Sequence, residues 1–344
     1  MNAVRWLAIL AATAFAGTAC AASAEDEWRA VVALDAGPQG QPRTADEARA
    51  EAGAHLLKQE RALRGFLAAN PGDAHGFEAR LRLSRALQIR ADMTSDSALR
   101  LEAQRLLDEC ARTATPAQLP EVDFAKITAF MRALRLPGRE QRTELLTRAR
   151  DFQAKHPADR RVAALLAEVA GLFDMDPKTK LGLLEDAKTF AKDDELKARL
   201  ADDLRRVGFF GKTFSLSGPT VQGRIAKVEE LRGKPVLVIF FADFSPPSTA
   251  ALATLKQAVA ELPTGSVHVL GVSLDVRRDT GAELLRTLGL NWPVICDSKG
   301  WESPAIRALG INTLPTVWLL DSAGRLRSLN ALEGTAGLVR QLSK

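Results

Sequence analysis

Cysteine is scarce in this chain of 344 residues: Cys20, Cys110 and Cys296 are the whole supply. No C-x-x-C or H-x-x-x-H spacing occurs, which removes the usual ligand sets of zinc sites and the ordinary redox dithiol. No glycine-rich loop follows a strand-like run, so the phosphate cradles of nucleotide-binding folds are absent and no motif requires a cofactor. The histidines His55, His75, His156 and His268 fall in no Ser-His-Asp order that would activate a serine. No apolar run reaches the ~20 residues that span a bilayer. Concentrated charge is missing too. Lys and Arg number 47 against 42 Asp and Glu, and the resulting +5 is spread along the chain without a basic stripe. Nucleic acid is therefore not an expected partner. What is present is a hydrophobic content of 46%, ample for packed cores, in a length that suggests two domains.

Met1 to Ala24 reads as a targeting segment. Arg5 supplies the positive end, Trp6 to Ala16 the apolar stretch, and Ala22-Ser23-Ala24 a cleavage site. This predicts export to the periplasm or beyond, with cleavage near Ala24. Cys20 offers an alternative, a lipid-anchored protein, and only in that case a membrane contact; Gly17 is a poor match to the lipid signal. Cys110 and Cys296 lie in different predicted domains and are expected to be buried free thiols.

Residues 25–43 read as a low-complexity lead-in segment, with Gly37-Pro38-Gln39-Gly40 towards its end. From Thr44 to Val207 the pattern is helical, with helices expected near 44–69, 73–93, 96–112, 119–134, 138–155, 158–174, 177–191 and 193–207. Asn70-Pro71-Gly72-Asp73, Thr115-Pro116, Pro137-Gly138, His156-Pro157 and Asp176-Pro177 separate them. Phe66, Ala68, Pro71 and Asp73 recur in register as Phe152, Ala154, Pro157 and Asp159. The spacing predicts an array of helical hairpins over 44–207 and resembles tetratricopeptide-type repeats, although the full repeat signature is missing. Such an array either presents a surface to another macromolecule or buries only its own hairpins.

Composition changes at Gly208, and residues 208–344 alternate strand-like and helical runs, which predicts an α/β domain and a two-domain α plus α/β chain. Two leading strands are expected at Thr213–Leu216 and Gly223–Val228, separated by a turn at Gly218-Pro219. The centre of the domain is Val236-Leu237-Val238-Ile239-Phe240-Phe241, a run buried on both faces if it is a strand. It leads to Ser245 at a helix N-cap position, with Pro246 at the first helical position, where a missing N–H costs nothing. Further strands are expected at Val267–Leu274, Pro293–Cys296, Thr316–Leu320 and from Arg325.

These landmarks resemble the TlpA-type, redoxin-like branch of the thioredoxin superfamily, over roughly Gly208 to Lys344. The resemblance is carried by Gly211-Lys212-x-Phe214-x-Leu216, Gly223, Leu231-Arg232-Gly233-Lys234, Val272-Ser273-Leu274-Asp275, Leu314-Pro315-Thr316 and Asp321-x-x-Gly324, in that order. It implies a thioredoxin-like fold, with a cis proline at Pro315 facing the active site. In the family the central strand runs into W-A-x-W-C-x-P-C; here the chain reads Phe241-Ala242-Asp243-Phe244-Ser245-Pro246-Pro247-Ser248. The same segment resembles the peroxiredoxin pattern D-F-[ST]-P-x-C-T, again with Ser248 at a cysteine position. Ser245 and Ser248 thus stand where the reactive thiols are expected. A helix terminus shifts a thiol into the thiolate range but leaves a serine hydroxyl neutral, and serine forms no disulfide.

The resemblance therefore implies a redox-inactive frame whose groove accepts another protein or an extended peptide, bordered by Phe244, Pro246, Pro247, Thr313, Leu314, Pro315 and Thr316. Two alternatives stay open: a thiol–disulfide oxidoreductase or peroxidase working through Cys296 or another route, and a structural scaffold.

Overall fold

A computed structural model describes residues 23–134 and 138–343. The targeting segment, with Cys20, lies outside the described residues but for Ser23 and Ala24. By compactness the chain divides between Arg135 and Leu136, whereas composition marks its change at Gly208.

The first unit is all-helical: α1 (Ala24–Ala33), α2 (Ala45–Ala69), α3 (Gly76–Thr94), α4 (Ser97–Thr113) and α5 (Leu119–Ala133). Most of these follow the apolar periodicity closely. Helix α1 lies within the low-complexity lead-in, ahead of the first helix that the periodicity marks. Ser23 caps it by accepting from the Asp26 N–H, and Glu25, Asp26 and Glu27 complement the positive end of its dipole. Trp28 anchors it, stacked on His75 at 4.7 Å, tilted against Phe66 at 5.3 Å, with the Arg82 guanidinium over its ring. Cys110 is buried and free, and burial pushes its thiol up to about 11.

The second unit begins with α6 (Arg139–Lys155), α7 (Val162–Ala170), α8 (Pro177–Phe190) and α9 (Asp194–Val207), which pack in sequence. The repeat seen in the sequence is a repeat of turn geometry. Asn70 and His156 close their helices on the carbonyls of Phe66 and Phe152, and Asp73 and Asp159 each accept from the N–H two residues on, three residues ahead of the next helix.

The α/β part follows directly. Its main sheet has the order β5 (Val294–Ile295), β4 (His268–Ser273), β3 (Val236–Phe241), β6 (Thr316–Leu320), β7 (Leu326–Ser328). Strands β3, β4 and β5 are parallel, while β6 and β7 run antiparallel to their neighbours. The helices are α10 (Pro246–Ala260), α11 (Thr280–Thr287), α12 (Pro304–Leu309) and α13 (Thr335–Leu342). Every residue of β3 is buried. Leu237, Ile239 and Phe241 join one cluster with Leu252 and Leu255 of α10 and Val339 of α13. The alternate residue Phe240 faces the other way, onto Trp318, which also packs against the rings of Phe209 and Phe214.

The small hairpin β1 (Ser217–Pro219) and β2 (Ile225–Lys227) differs from expectation. Gly218 and Pro219, expected as a turn, lie inside β1, and the turn is instead at Gly223, which has positive φ and closes on the Thr220 carbonyl. Gly218 is needed for close approach rather than for a turn: a Cβ there would meet Ile295 Cγ2 at 2.5 Å. The expected strand Thr213–Leu216 contributes only an isolated bridge, Thr213 to Arg325. Both outer strands are therefore partly covered, β5 by Pro219 and Thr220 and β7 at Leu326 by the 210–212 segment.

Candidate functional site at the head of the central helix

The site lies where β3 ends. Six apolar residues with β-branched and aromatic side chains make the strand, and Asp243 to Ser245 turn the chain into α10. Ser245 occupies the N-cap position in an extended conformation, but its hydroxyl makes no capping hydrogen bond, contrary to a simple capping role. Pro246 and Pro247 follow, so two N–H groups that commonly face an anion at a helix start are missing. The Ser248 N–H closes a turn on the Ser245 carbonyl at 2.8 Å. Ser248 is fully buried and its Oγ accepts from the Ala242 N–H at 3.4 Å.

Phe240 pairs with Thr316 in the β3–β6 register, so the 313–316 loop leaves the sheet at the same end as Ala242 to Ser245. The Leu314–Pro315 peptide bond is cis. Phe244 is 58% exposed; Pro246, Pro247 and Thr313 are exposed, Leu314 and Pro315 half-buried. Thr316 is buried and spends its hydroxyl on the Thr313 carbonyl at 2.8 Å, so it shapes the loop rather than facing solvent. His268 stands opposite Val236, at the far end of the sheet from Phe241. Five residues at ~3.3 Å each separate the two ends, which puts this imidazole out of reach of either serine.

A buried carboxyl supports the first loop, at a position that the sequence marks only by its resemblance to the family pattern. Asp275, just past β4 and 4% exposed, accepts from the Asp243 N–H through Oδ1 at 3.0 Å and from the Ser273 hydroxyl through Oδ2 at 2.7 Å. Gly281 permits this, because a Cβ there would sit 2.6 Å from Ser273 Oγ. Cys296 is buried and free, with its thiol donating to the Asp275 carbonyl at 3.3 Å. A carboxylate just past a largely apolar strand is the available signal; its partner, 32 residues away, leaves none.

Burial raises the Asp275 pKa above the ordinary carboxylate value, the nearby Asp243 charge adds to this, and the Ser273 and Asp243 hydrogen bonds oppose it. A raised carboxyl binds its proton more tightly when folded, so its contribution to stability falls as pH rises from about 4 through the folded-state pKa. In Asp275→Asn the amide keeps an acceptor for Asp243 and a donor for Ser273 Oγ. Urea unfolding between pH 4 and 7 should therefore show the variant gaining on the wild type as pH rises. A difference growing the other way means that the carboxylate is the favoured form.

This sheet order, with a helix starting after the central strand and a cis-proline loop beside it, defines a thioredoxin-like domain. Residues 210–329 match the AhpC/TSA family, so the C-terminal part of the chain is a thioredoxin-like redoxin domain. The relatives are of the TlpA/ResA type. The thiol-disulfide oxidoreductase ResA of Halalkalibacterium halodurans is 25% identical over 122 residues, 36% of this chain and 65% of the relative. The chain thus spans slightly less than two thirds of that relative's length. ResA of Geobacillus thermodenitrificans is 23% identical over 123 residues, 36% of this chain and 68% of the relative. Among solved structures, a thiol-disulfide oxidoreductase from Bacteroides fragilis is 27% identical, with 38% of this chain and 98% of that one covered at a TM-score of 0.34.

Proposed function

We propose that this is an exported protein whose redoxin domain has lost dithiol chemistry and binds protein segments in extended conformation. The observation that carries the reading is Ser245-Pro246-Pro247-Ser248 at the head of α10. A hydroxyl at either end cannot exchange with a disulfide, and Pro246 withholds an N–H beyond the one already missing at the proline that the redox-active pattern also has at position 247. The surrounding frame is kept: exposed Phe244 on one loop, exposed Thr313 on the other, and the cis Pro315 between them and β6. Among the described residues both outer strands of the main sheet already carry bridges, at Ile295 and Leu326, which favours pairing at the loop over addition of a strand to that sheet.

The test uses the mature chain and fluorescein-labelled, cysteine-free peptides tiling a carboxymethylated unfolded protein. Wild type should bind a subset of them by anisotropy, and Phe244→Asp should weaken that binding by about tenfold or more, as expected for an aromatic anchor. Binding that ignores Phe244→Asp transfers the contact surface to the helices. The same preparation should show no disulfide reductase or hydroperoxidase turnover. Turnover that disappears in Cys296→Ala restores the oxidoreductase reading that the relatives' names suggest. Mass spectrometry of the N-terminus separates cleavage near Ala24 from lipidation at Cys20.

A further inference from the structure

Helix α9 runs straight into the α/β part, and three consecutive contacts tie it to the chain that leads into the cis-proline loop. Arg205 donates to the Arg307 carbonyl in α12 at 2.7 Å. Gly310, which ends α12, has φ +69°, and a Cβ there would lie 2.5 Å from the Asp202 carbonyl oxygen. Arg206 donates through one nitrogen to Asn312 Oδ1 at 2.7 Å and through another to Asp203. Asn312 is the residue before Thr313, where the exposed edge of the loop begins.

The Arg206–Asp203 pair is largely buried, its side chains 18% and 17% exposed. A guanidinium held by a carboxylate has its plane set, and its remaining N–H groups are aimed with it. Here the aimed group meets Asn312 Oδ1. The Asn312 Nδ2 is buried and has no hydrogen-bond partner among the described residues, so the amide is oriented by Arg206 rather than by a full set of its own bonds.

We propose that Arg206 is a positioning residue for the peptide groove. Acting through Asn312, it fixes the 311–316 loop against α9, so this helix belongs to the binding unit without touching the ligand. This rests on the reading of that loop as a peptide-binding edge.

Three variants test it: Asn312→Ala, Arg206→Lys and the double. Arg206→Lys keeps a charge opposite Asp203, but one ammonium on a flexible stem does not reproduce the planar fork. The probe is the labelled peptide that wild type binds most tightly, and amide hydrogen exchange of residues 311–316 is measured alongside. Each single variant should weaken peptide binding by about tenfold, as for a lost hydrogen bond to a charged group, and the double should weaken it no further. Exchange in 311–316 should accelerate in all three. Effects that multiply in the double, or singles that bind as wild type does, overturn the proposal. If wild type binds none of the peptides, the peptide reading fails, and exchange alone decides the positioning role: acceleration in both singles upholds it and unchanged rates overturn it.

Discussion

Ser245→Cys combined with Ser248→Cys should close an intramolecular disulfide under mild oxidant and give the chain disulfide reductase activity that disappears when either cysteine is reverted. The Ser248 N–H bonds the Ser245 carbonyl at 2.8 Å, and such a four-residue turn holds its outer Cα atoms within ~7 Å. A disulfide tolerates Cα separations of ~4.4–6.8 Å, so closure requires little movement. Position 248 is fully buried and position 245 half-exposed, so an external disulfide is attacked from 245 only. The prolines at 246 and 247 leave that thiolate with fewer N–H donors than a helix start ordinarily offers. Its pKa should therefore stay nearer the free value of ~8.5 than the ~7 of thioredoxin, and the reduction potential should fall at or below about −270 mV. Thiol counting before and after oxidation checks closure, with Cys110 and Cys296 as the unreacted background. Two extra free thiols that persist under oxidant mean that the turn is not the one described.

The second large effect is on stability. Trp318, in β6, is completely buried, with Phe214 at 5.2 Å and Phe240 at 5.4 Å edge-on and Phe209 at 6.1 Å. Trp318→Ala should cost about 3–5 kcal/mol in urea unfolding followed by far-ultraviolet circular dichroism, from lost burial and the cavity left behind. Trp318→Phe should cost much less than its loss of volume suggests. The indole Nε1 is buried without a hydrogen-bond partner among the described residues, and removing that group returns about 1–3 kcal/mol of desolvation penalty. Equal losses in the two variants refute this account, because they place the energy in the indole N–H rather than in the packed rings.

Local pattern was sufficient for helices α2 to α9 and for the strands of the main sheet. Helices α2 to α9 begin and end within a few residues of the periodicity and turn signals, because spacing along one face and a capping residue act over a single turn. Strand β3 was legible for the same reason: six apolar residues too short for a helix have few other homes. The thioredoxin-like fold was legible from landmarks in order, and so was the placing of Ser245 at the helix start.

Contacts between distant segments were not legible. Helix α1 forms around Trp28, whose partners Phe66 and His75 lie 38 and 47 residues further on (66 − 28 and 75 − 28). The role of Gly218 is set by Ile295, that of Gly281 by Ser273, and that of Gly310 by Asp202. A missing Cβ reads as a turn until the neighbour that requires its absence is known. Asp275 is read as a strand end until the Asp243 N–H arrives on it, and Arg206 as a surface charge until Asn312 does. Propensity and periodicity are properties of consecutive residues, whereas burial and hydrogen-bond pairing are decided by which segments the folded chain brings together.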